Sequence, residues 1–258
     1  MFDCHMHVTN RAEFDLYLKT ACATHFINIR GIDDCALTCT PPYDTDLYEI
    51  KNMYFLEAVN LDDVNNELLR IENELQKYKR IVGIKIYLGY QQYYANDPKV
   101  FAVAEFCRTQ GLTLAFHCGE TFVNNTDNTA NDKYANAKHI KDLLVAFPDV
   151  NFVASHLNWP HFDDLFGLIE KYDNIYTCIS GCIDGETTEA RNIQCDELVE
   201  LLKNYLSKYP KLKDRLMYGT DFFAGGGVKF TDVSIYAKVA KELNIADANI
   251  LNAYRIHI

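Results

Sequence analysis

Short hydrophobic blocks alternate with longer segments of helical periodicity along this chain. Residues 82–87 form one such block, Asp97 and Pro98 are suited to open a helix that ends at Gly111, and residues 112–117 form the next block. A block of this length predicts a buried strand, and apolar positions at helical spacing predict an amphipathic helix. The alternation therefore predicts parallel strands that are joined by helices.

This strand–helix unit is repeated along the whole sequence. The predicted strands are 2–8, 26–30 or 36–40, 54–59, 82–87, 112–117, 150–156, 175–178 and 215–219, and the predicted helices are 11–23, 62–79, 97–110, 134–147, 162–172, 196–209, 232–243 and 246–253. Both candidates for the second strand remain open. Eight units without a change of composition predict α/β architecture and one domain over residues 1–258, a single (β/α)₈ TIM barrel. A doubly wound open sheet is disfavoured, because no Gly-x-Gly-x-x-Gly follows the first strand.

Charge and composition narrow the class of partner. The net charge of −11 disfavours nucleic acid and polyphosphate ligands. No apolar run is long enough to cross a bilayer and no signal peptide is recognised, so no membrane partner is expected. Nine scattered cysteines indicate reduced thiols in a cytoplasmic protein. We therefore expect a small-molecule substrate, and self-association into a homo-oligomer is compatible with the sequence.

The candidate chemistry lies at strand ends. On the first strand, side-chain alternation would place Asp3, His5 and His7 on one face, where two imidazoles can converge on one ion. Four further residues of ligand or acid–base type lie at or just after later strands: Lys85, His117, His156 and Asp221. Because the carboxyl ends of barrel strands form a single mouth, we expect all of these side chains to meet there.

This set of residues resembles that of the amidohydrolase superfamily of metal-dependent hydrolases. The local segments are most similar to its amidohydrolase-related (amidohydrolase 2) branch, which holds both hydrolases and decarboxylases. The matching stretches are Gly83-Ile84-Lys85, Phe116-His117-Cys118-Gly119-Glu120, Ser155-His156-Leu157, Tyr218-Gly219-Thr220-Asp221-Phe222 and Asn252-Ala253-Tyr254-Arg255. The resemblance extends over the chain and is vaguest between residues 24 and 53.

The resemblance implies a ligand set and roles for it. Its implied ligands of one divalent ion, most often Zn²⁺, are His5, His7, His117 and Asp221. Asp221 would also be the catalytic base, and His156 would be an acid–base or carbonyl-polarising group. In a dinuclear centre, a carboxylated Lys85 would bridge two ions, and His117 and His156 would hold the second ion; in a mononuclear one, Lys85 would lie near the substrate as a catalytic residue.

Two functions are compatible with these residues. The first is a metal-dependent hydrolase that acts on a small amide, ester or lactone through a metal-activated water. The alternative is a metal-dependent non-oxidative decarboxylase of a small aromatic or unsaturated carboxylate. Candidate substrate contacts just beyond the strand ends are Tyr87, Tyr90, Glu120, Phe122, Asn158, Trp159 and Phe222. Arg191 is a candidate carboxylate clamp.

Overall fold

Eight parallel strands form the centre of the computed structural model, which describes residues 1–31, 43–123, 126–127, 129–225 and 228–258. The strands are β1 Phe2–His7, β2 His25–Ile29, β3 Met53–Ala58, β4 Ile81–Ile86, β5 Thr113–Phe116, β6 Phe152–Ala154, β7 Ile175–Cys178, and β8, which consists of Leu216–Met217 and Phe222–Phe223. Each strand pairs in parallel with the next one along the chain. This order is the one expected when a helical segment follows each strand.

The two pieces of β8 close the sheet. Its first piece pairs with β7, and its second piece pairs with β1, where Met6 is in register with Phe222. Between the two pieces, the N–H of Cys4 donates to the carbonyl of Tyr218 at 3.0 Å. The predicted TIM barrel is confirmed. Residues 25–29 supply β2, whereas the other candidate, residues 36–40, lies outside the described residues.

Helices surround the barrel. They are α1 Arg11–Tyr17, α2 Val64–Lys77, α3 Leu88–Gln91, α4 Pro98–Gln110, α5 Thr129–Ala135, α6 Lys141–Ala146, α7 Phe162–Lys171, α8 Thr188–Lys208, α9 Val228–Thr231, α10 Ser234–Glu242 and α11 Asp247–Tyr254. The caps of α4 are those predicted: the Asp97 side chain accepts from the N–H of Lys99, and Gly111 ends the helix with a φ of 70°. Helix α8 begins earlier than predicted, because the Thr187 side chain caps it through the N–H of Ala190.

Two apolar layers hold the barrel together. The outer layer lies between the strands and the helices. The inner layer has members from seven of the eight strands, among them Cys4, Ile27, Leu56, Ala115, Val153, Cys178 and Met217. Ile250 and Tyr254 of α11 pack against the inner layer, so the last helix covers one end of the barrel interior. Within the described residues, no helix is long and apolar enough to cross a membrane.

Candidate metal centre

A bulge in β1 sets the direction of the His5 and His7 side chains. The register between β1 and β2 shifts between Asp3 and Met6. The Asp3 side chain lies on the face of β1 that is turned towards the helices, where its carboxylate accepts from the Tyr17 hydroxyl of α1 at 2.8 Å. The same carboxylate accepts from the N–H of His5 at 3.0 Å. The expected common face of Asp3, His5 and His7 is therefore wrong for Asp3, because the bulge interrupts the alternation. Asp3 orients β1 through its backbone and does not contact the imidazoles.

A second backbone irregularity, between the two pieces of β8, places the Asp221 side chain beside His5. The N–H groups of Thr220 and Asp221 both donate to the carbonyl of His5, at 3.2 and 2.8 Å. The φ of Asp221 is 62°, in the left-handed region that is costly for residues with a Cβ. Thr220 also donates its hydroxyl to Asp3 at 2.7 Å, so β8 is tied to β1 on both sides of the bulge. This anchoring holds Asp221 in its left-handed conformation beside His5.

The side chains of His5, His156 and Asp221 form a compact group. They offer ligand atoms that all lie within 4.8 Å of one another. The Oδ1 atom of Asp221 is 3.1 Å from His5 Nε2 and 3.4 Å from His7 Nε2. The ring centroid of His117 lies 4.6 Å from that of His156. The four histidines and the carboxylate, which come from four different strands, therefore meet at one place.

Backbone carbonyls fix which ring nitrogen of each histidine is available. A carbonyl can only accept, so His7 donates from Nδ1 to Ile29 at 2.8 Å, and His156 donates from Nδ1 to Ser180 at 2.9 Å. In the neutral rings this leaves both Nε2 atoms with a lone pair. His117 has the opposite arrangement, because its Nε2 donates to the carbonyl of Glu120 at 2.8 Å. Its Nδ1 atom is the one that remains for a ligand.

Electrostatics also suit a cation. Burial alone would raise the pKa of Asp221, yet the neighbouring His156 and His5 outweigh it and hold that pKa well below the usual range. Burial lowers the pKa of His156 to about 4, and it lowers the pKa of His7 and, strongly, of His117. His7, His117 and His156 are therefore neutral beside an ionised carboxylate, which are the protonation states that metal ligands need. Burial and the Lys85 charge act to lower the pKa of His5, but Asp221 outweighs them and raises it, so a bound cation would have to displace a proton from this ring. On donor type, spacing and charge, these residues fit a divalent metal ion.

Comparison with known proteins agrees with this geometry. A sequence model described as amidohydrolase matches residues 51–224, which is more than half of the chain. The chain belongs to the amidohydrolase family. Among curated protein sequences, none matches the chain.

Solved amidohydrolase-type barrels share the fold. A zinc-bound amidohydrolase from Burkholderia multivorans is 11% identical, with a TM-score of 0.63 and 99% of each chain covered. A probable 2-pyrone-4,6-dicarboxylic acid hydrolase from Acinetobacter baumannii is 14% identical, with a TM-score of 0.60 and 99% of each chain covered. A 5-carboxyvanillate decarboxylase from Sphingomonas paucimobilis is 15% identical, with a TM-score of 0.58, and the match covers 95% of this chain and 82% of that one.

Lys85 lies inside this amidohydrolase barrel, near the end of β4 as predicted. It is fully buried, and its Nζ donates to Ser155 Oγ at 2.5 Å and to the carbonyl of Phe116 at 3.2 Å. Burial lowers the pKa of Lys85 to about 8. Its positive charge acts with burial to lower the pKa of His117, and it opposes the rise that Asp221 causes in the pKa of His5.

The candidate substrate contacts just beyond the strand ends, here called the rim residues, have different surroundings. The hydroxyl of Tyr87 donates to the carbonyl of Arg30 at 2.9 Å, and the ring of Tyr90 meets that of His117 edge-on at 5.0 Å. The carbonyl of Glu120 is the partner of His117, and the exposed Trp159 packs against Phe162. Tyr87, Tyr90 and Glu120 are thus the rim candidates next to the histidines.

Three other candidates are held by structural contacts. Both polar atoms of the buried Asn158 side chain are bonded to main chain, at Ala137 and His161. Phe222 is buried against Tyr17. Arg191, the candidate carboxylate clamp, is buried and donates to Asp232 at 3.0 Å. The side chain of Phe122 lies outside the described part.

The sequence prediction missed the contribution of β7. Ser180, two residues after this strand, contacts the rings of both His5 and His156. A Cβ on Gly181 would lie 2.9 Å from Asp221 Oδ2, so this position leaves room for the carboxylate. Cys178 and Ser180 share the alternation of β7, and a search for small polar residues at every strand end would have found Ser180.

Proposed function

We propose that this amidohydrolase is a metal-dependent hydrolase of a small amide, ester or lactone, with one Zn²⁺ ion in the barrel mouth. The observation that carries the proposal is the compact group of His5, His156 and Asp221, with His7 on the same carboxylate oxygen. Imidazole nitrogen and carboxylate oxygen are usual ligands of catalytic zinc, which keeps one position open for water or substrate. When bound, the ion would supply Lewis acidity and lower the pKa of a water molecule.

Asp221 is the proposed general base. Its carboxylate is ionised at neutral pH, because the neighbouring imidazoles outweigh the effect of burial on its pKa. It can therefore accept a proton from the attacking water and return it to the leaving group. The left-handed backbone of Asp221 and the hydrogen bond from its N–H to the His5 carbonyl fix where the side chain leaves the chain, which orients the carboxylate for this role.

His156 fits the role of a ligand or base better than that of a carbonyl-polarising donor. Its Nδ1 hydrogen is engaged by the Ser180 carbonyl, and its pKa of about 4 leaves Nε2 without a hydrogen at neutral pH. Polarisation of a substrate carbonyl would require an N–H at Nε2. His117, with the free Nδ1 atom next to His156, is the further candidate ligand.

A single ion is favoured by the environment of Lys85. Carboxylation requires a neutral amine, and here the buried ammonium donates to Ser155 Oγ and to the carbonyl of Phe116. These two acceptors stabilise the protonated amine and so oppose carboxylation, and although burial lowers the pKa of Lys85 to about 8, most of the amine is still protonated at neutral pH. We therefore assign Lys85 as a free amine beneath the centre, near the substrate, and not as a bridge between two ions.

The second candidate function is a non-oxidative decarboxylase. It is favoured by the fold similarity to 5-carboxyvanillate decarboxylase, which is as close as the similarity to the pyrone dicarboxylic acid hydrolase. Decarboxylation requires an acid that protonates carbon. Asp221 is ionised and His156 is neutral, so the Lys85 ammonium is the candidate acid for that reaction. Hydrolysis is supported first, because it uses Asp221 as a base in the ionised state that the site favours.

Metal analysis followed by a substrate panel tests the proposal. We expect close to one zinc ion per chain, and hydrolysis within a panel of lactones, acyl esters, amides and aromatic carboxylates assayed for both reactions. His5→Asn should lose the metal and the activity, and His161→Asn, at an exposed histidine outside the group, should keep both. Carbon dioxide release without hydrolysis would establish the decarboxylase instead, and a protein that binds no divalent metal would contradict both functions.

A further inference from the structure

The hydroxyl of Ser180 lies behind two of the clustered imidazoles. Ser180 is fully buried after β7, and its Oγ atom is 3.1 Å from Nδ1 of His5 and 3.1 Å from Nδ1 of His156. The same atom is 3.1 Å from the Sγ atom of Cys178. One small side chain therefore contacts two histidines of the centre, and on His5 it contacts the nitrogen opposite the Nε2 atom that faces Asp221.

The hydrogen-bonding capacity of a hydroxyl accounts for all three contacts. A serine hydroxyl has one hydrogen to donate and two lone pairs to accept with. His156 carries its hydrogen on Nδ1, because that atom donates to the Ser180 carbonyl at 2.9 Å. The hydroxyl can then accept from Nδ1 of His5 and share the one Nδ1 hydrogen of His156 with the Ser180 carbonyl. Its own hydrogen is donated to Cys178. In this arrangement Nε2 of His5, 3.1 Å from Asp221 Oδ1, is left with a lone pair.

We propose that Ser180 is a positioning residue of the metal centre, which holds His5 and His156 in the tautomer and orientation that direct Nε2 towards the ion. This inference rests on the proposed function, since it assigns Ser180 a role at the same centre. Hydrogen bonds to the far nitrogen of a ligating histidine fix its tautomer and raise its basicity. For His7 the carbonyl of Ile29 has that position, and Ser180 has it for His5.

The two histidines depend on the hydroxyl to different degrees. Without it, His156 retains the main-chain carbonyl of residue 180. Among the described residues, the partner that Nδ1 of His5 retains is Cys178 Sγ, at 3.7 Å. Removal of the hydroxyl should therefore release His5 first, and His5 is the ring that contacts Asp221 most closely.

The test compares Ser180→Ala with Ser180→Thr in the full chain. Zinc affinity is measured by chelator competition, and ligand geometry is followed by the visible spectrum of the cobalt-substituted protein. We expect Ser180→Ala to bind zinc about 10- to 100-fold more weakly and to change the cobalt spectrum. Ser180→Thr, which keeps the hydroxyl, should match the parent in both. The matched control is Thr113→Val, which removes a buried hydroxyl bonded to Ala253 at 2.7 Å instead of to a histidine.

A measurement on the parent protein keeps the proposal testable even if Ser180→Ala does not fold. Nitrogen-15 NMR of the imidazoles in the zinc-loaded parent should show a hydrogen on Nδ1 of both His5 and His156. A bare Nδ1 on His5, or a folded Ser180→Ala with the parent's zinc affinity and cobalt spectrum, would overturn the role of Ser180 alone. A parent that binds no zinc would overturn the proposed function and this inference with it.

Discussion

Gly181 lies directly against the Asp221 carboxylate, with room for a hydrogen but not for a methyl group. A Cβ at residue 181 would be 2.9 Å from Asp221 Oδ2 and 3.0 Å from His156 Nδ1. The backbone of Gly181 is also left-handed, with a φ of 69°. Because residue 181, in the loop after β7, has no side chain, Asp221 and His156 of the proposed centre can occupy these positions.

Gly181→Ala should displace Asp221 or His156 and lower turnover on the order of 10²-fold, because small misplacements of reacting groups are that costly. The matched control is Gly111→Ala, whose φ of 70° imposes the same backbone strain while nothing lies within 4 Å of the added Cβ. Turnover and zinc content are measured for both variants. If the two variants kept equal activity, backbone strain alone would explain the glycine at position 181.

The buried hydroxyl of Tyr17 should contribute to stability through Asp3. It donates to the Asp3 carboxylate at 2.8 Å, so Tyr17→Phe leaves a buried carboxylate with one donor fewer, at a cost of about 1–3 kcal/mol. Tyr218→Phe is the control, because the buried hydroxyl of Tyr218 has no partner among the described residues. Its removal should be neutral or stabilising. Urea unfolding of both variants measures the difference, and equal midpoints would argue against a stabilising role of the hydrogen bond from Tyr17 to Asp3.

Strand order and strand-end chemistry could be predicted from the sequence, because both follow from local periodicity. His5, His7, Lys85, His117, His156 and Asp221 were each placed at or just after a strand end by that rule. The side of β1 on which Asp3 lies could not be predicted, since the bulge depends on Thr220 and Tyr17, both distant in sequence. The sequence also could not show which nitrogen of each histidine is available to a metal, because that depends on contacts with backbone carbonyls such as those of Ile29 and Glu120.

The buried Lys85 should make the stability of the fold vary with pH in the alkaline range. Burial lowers its pKa to about 8 from the ordinary 10.5, so between these values the unfolded chain binds more protons than the folded chain. The free energy of unfolding should therefore rise from about pH 8 to pH 10.5, by roughly 3 kcal/mol from this group. Below pH 8 this group should cause no change of stability with pH, because it is protonated in both the folded and the unfolded chain.

Denaturant unfolding of the metal-free protein across this pH range measures the effect. Lys85→Met should lack the rise, and Lys77→Met, at an exposed lysine of α2, should retain it. A parent curve that runs parallel to that of Lys85→Met would show that Lys85 has an ordinary pKa in the folded chain.

Asp221→Asn should separate proton transfer from metal retention. The amide preserves the shape of the side chain, and its oxygen can still face Nε2 of His5 and His7, which lie 3.1 and 3.4 Å from Oδ1 in the parent. It cannot accept a proton as the carboxylate does. A general base typically contributes about 10²–10⁴-fold, so we expect turnover to fall by at least that order on the substrate that the panel identifies, with a smaller loss of zinc.

The control for this change is Asp247→Asn, at the helix that covers the other end of the barrel, where the carboxylate accepts from the N–H of Phe2 at 2.9 Å. It carries the same loss of charge without contact to the histidines, so its zinc content and turnover should match the parent. Comparing turnover per bound zinc corrects for any metal that Asp221→Asn releases. If that ratio stayed at the parent value, Asp221 would be only a ligand or a structural group. A ring nitrogen with a lone pair, such as Nε2 of His156, would then be the base instead.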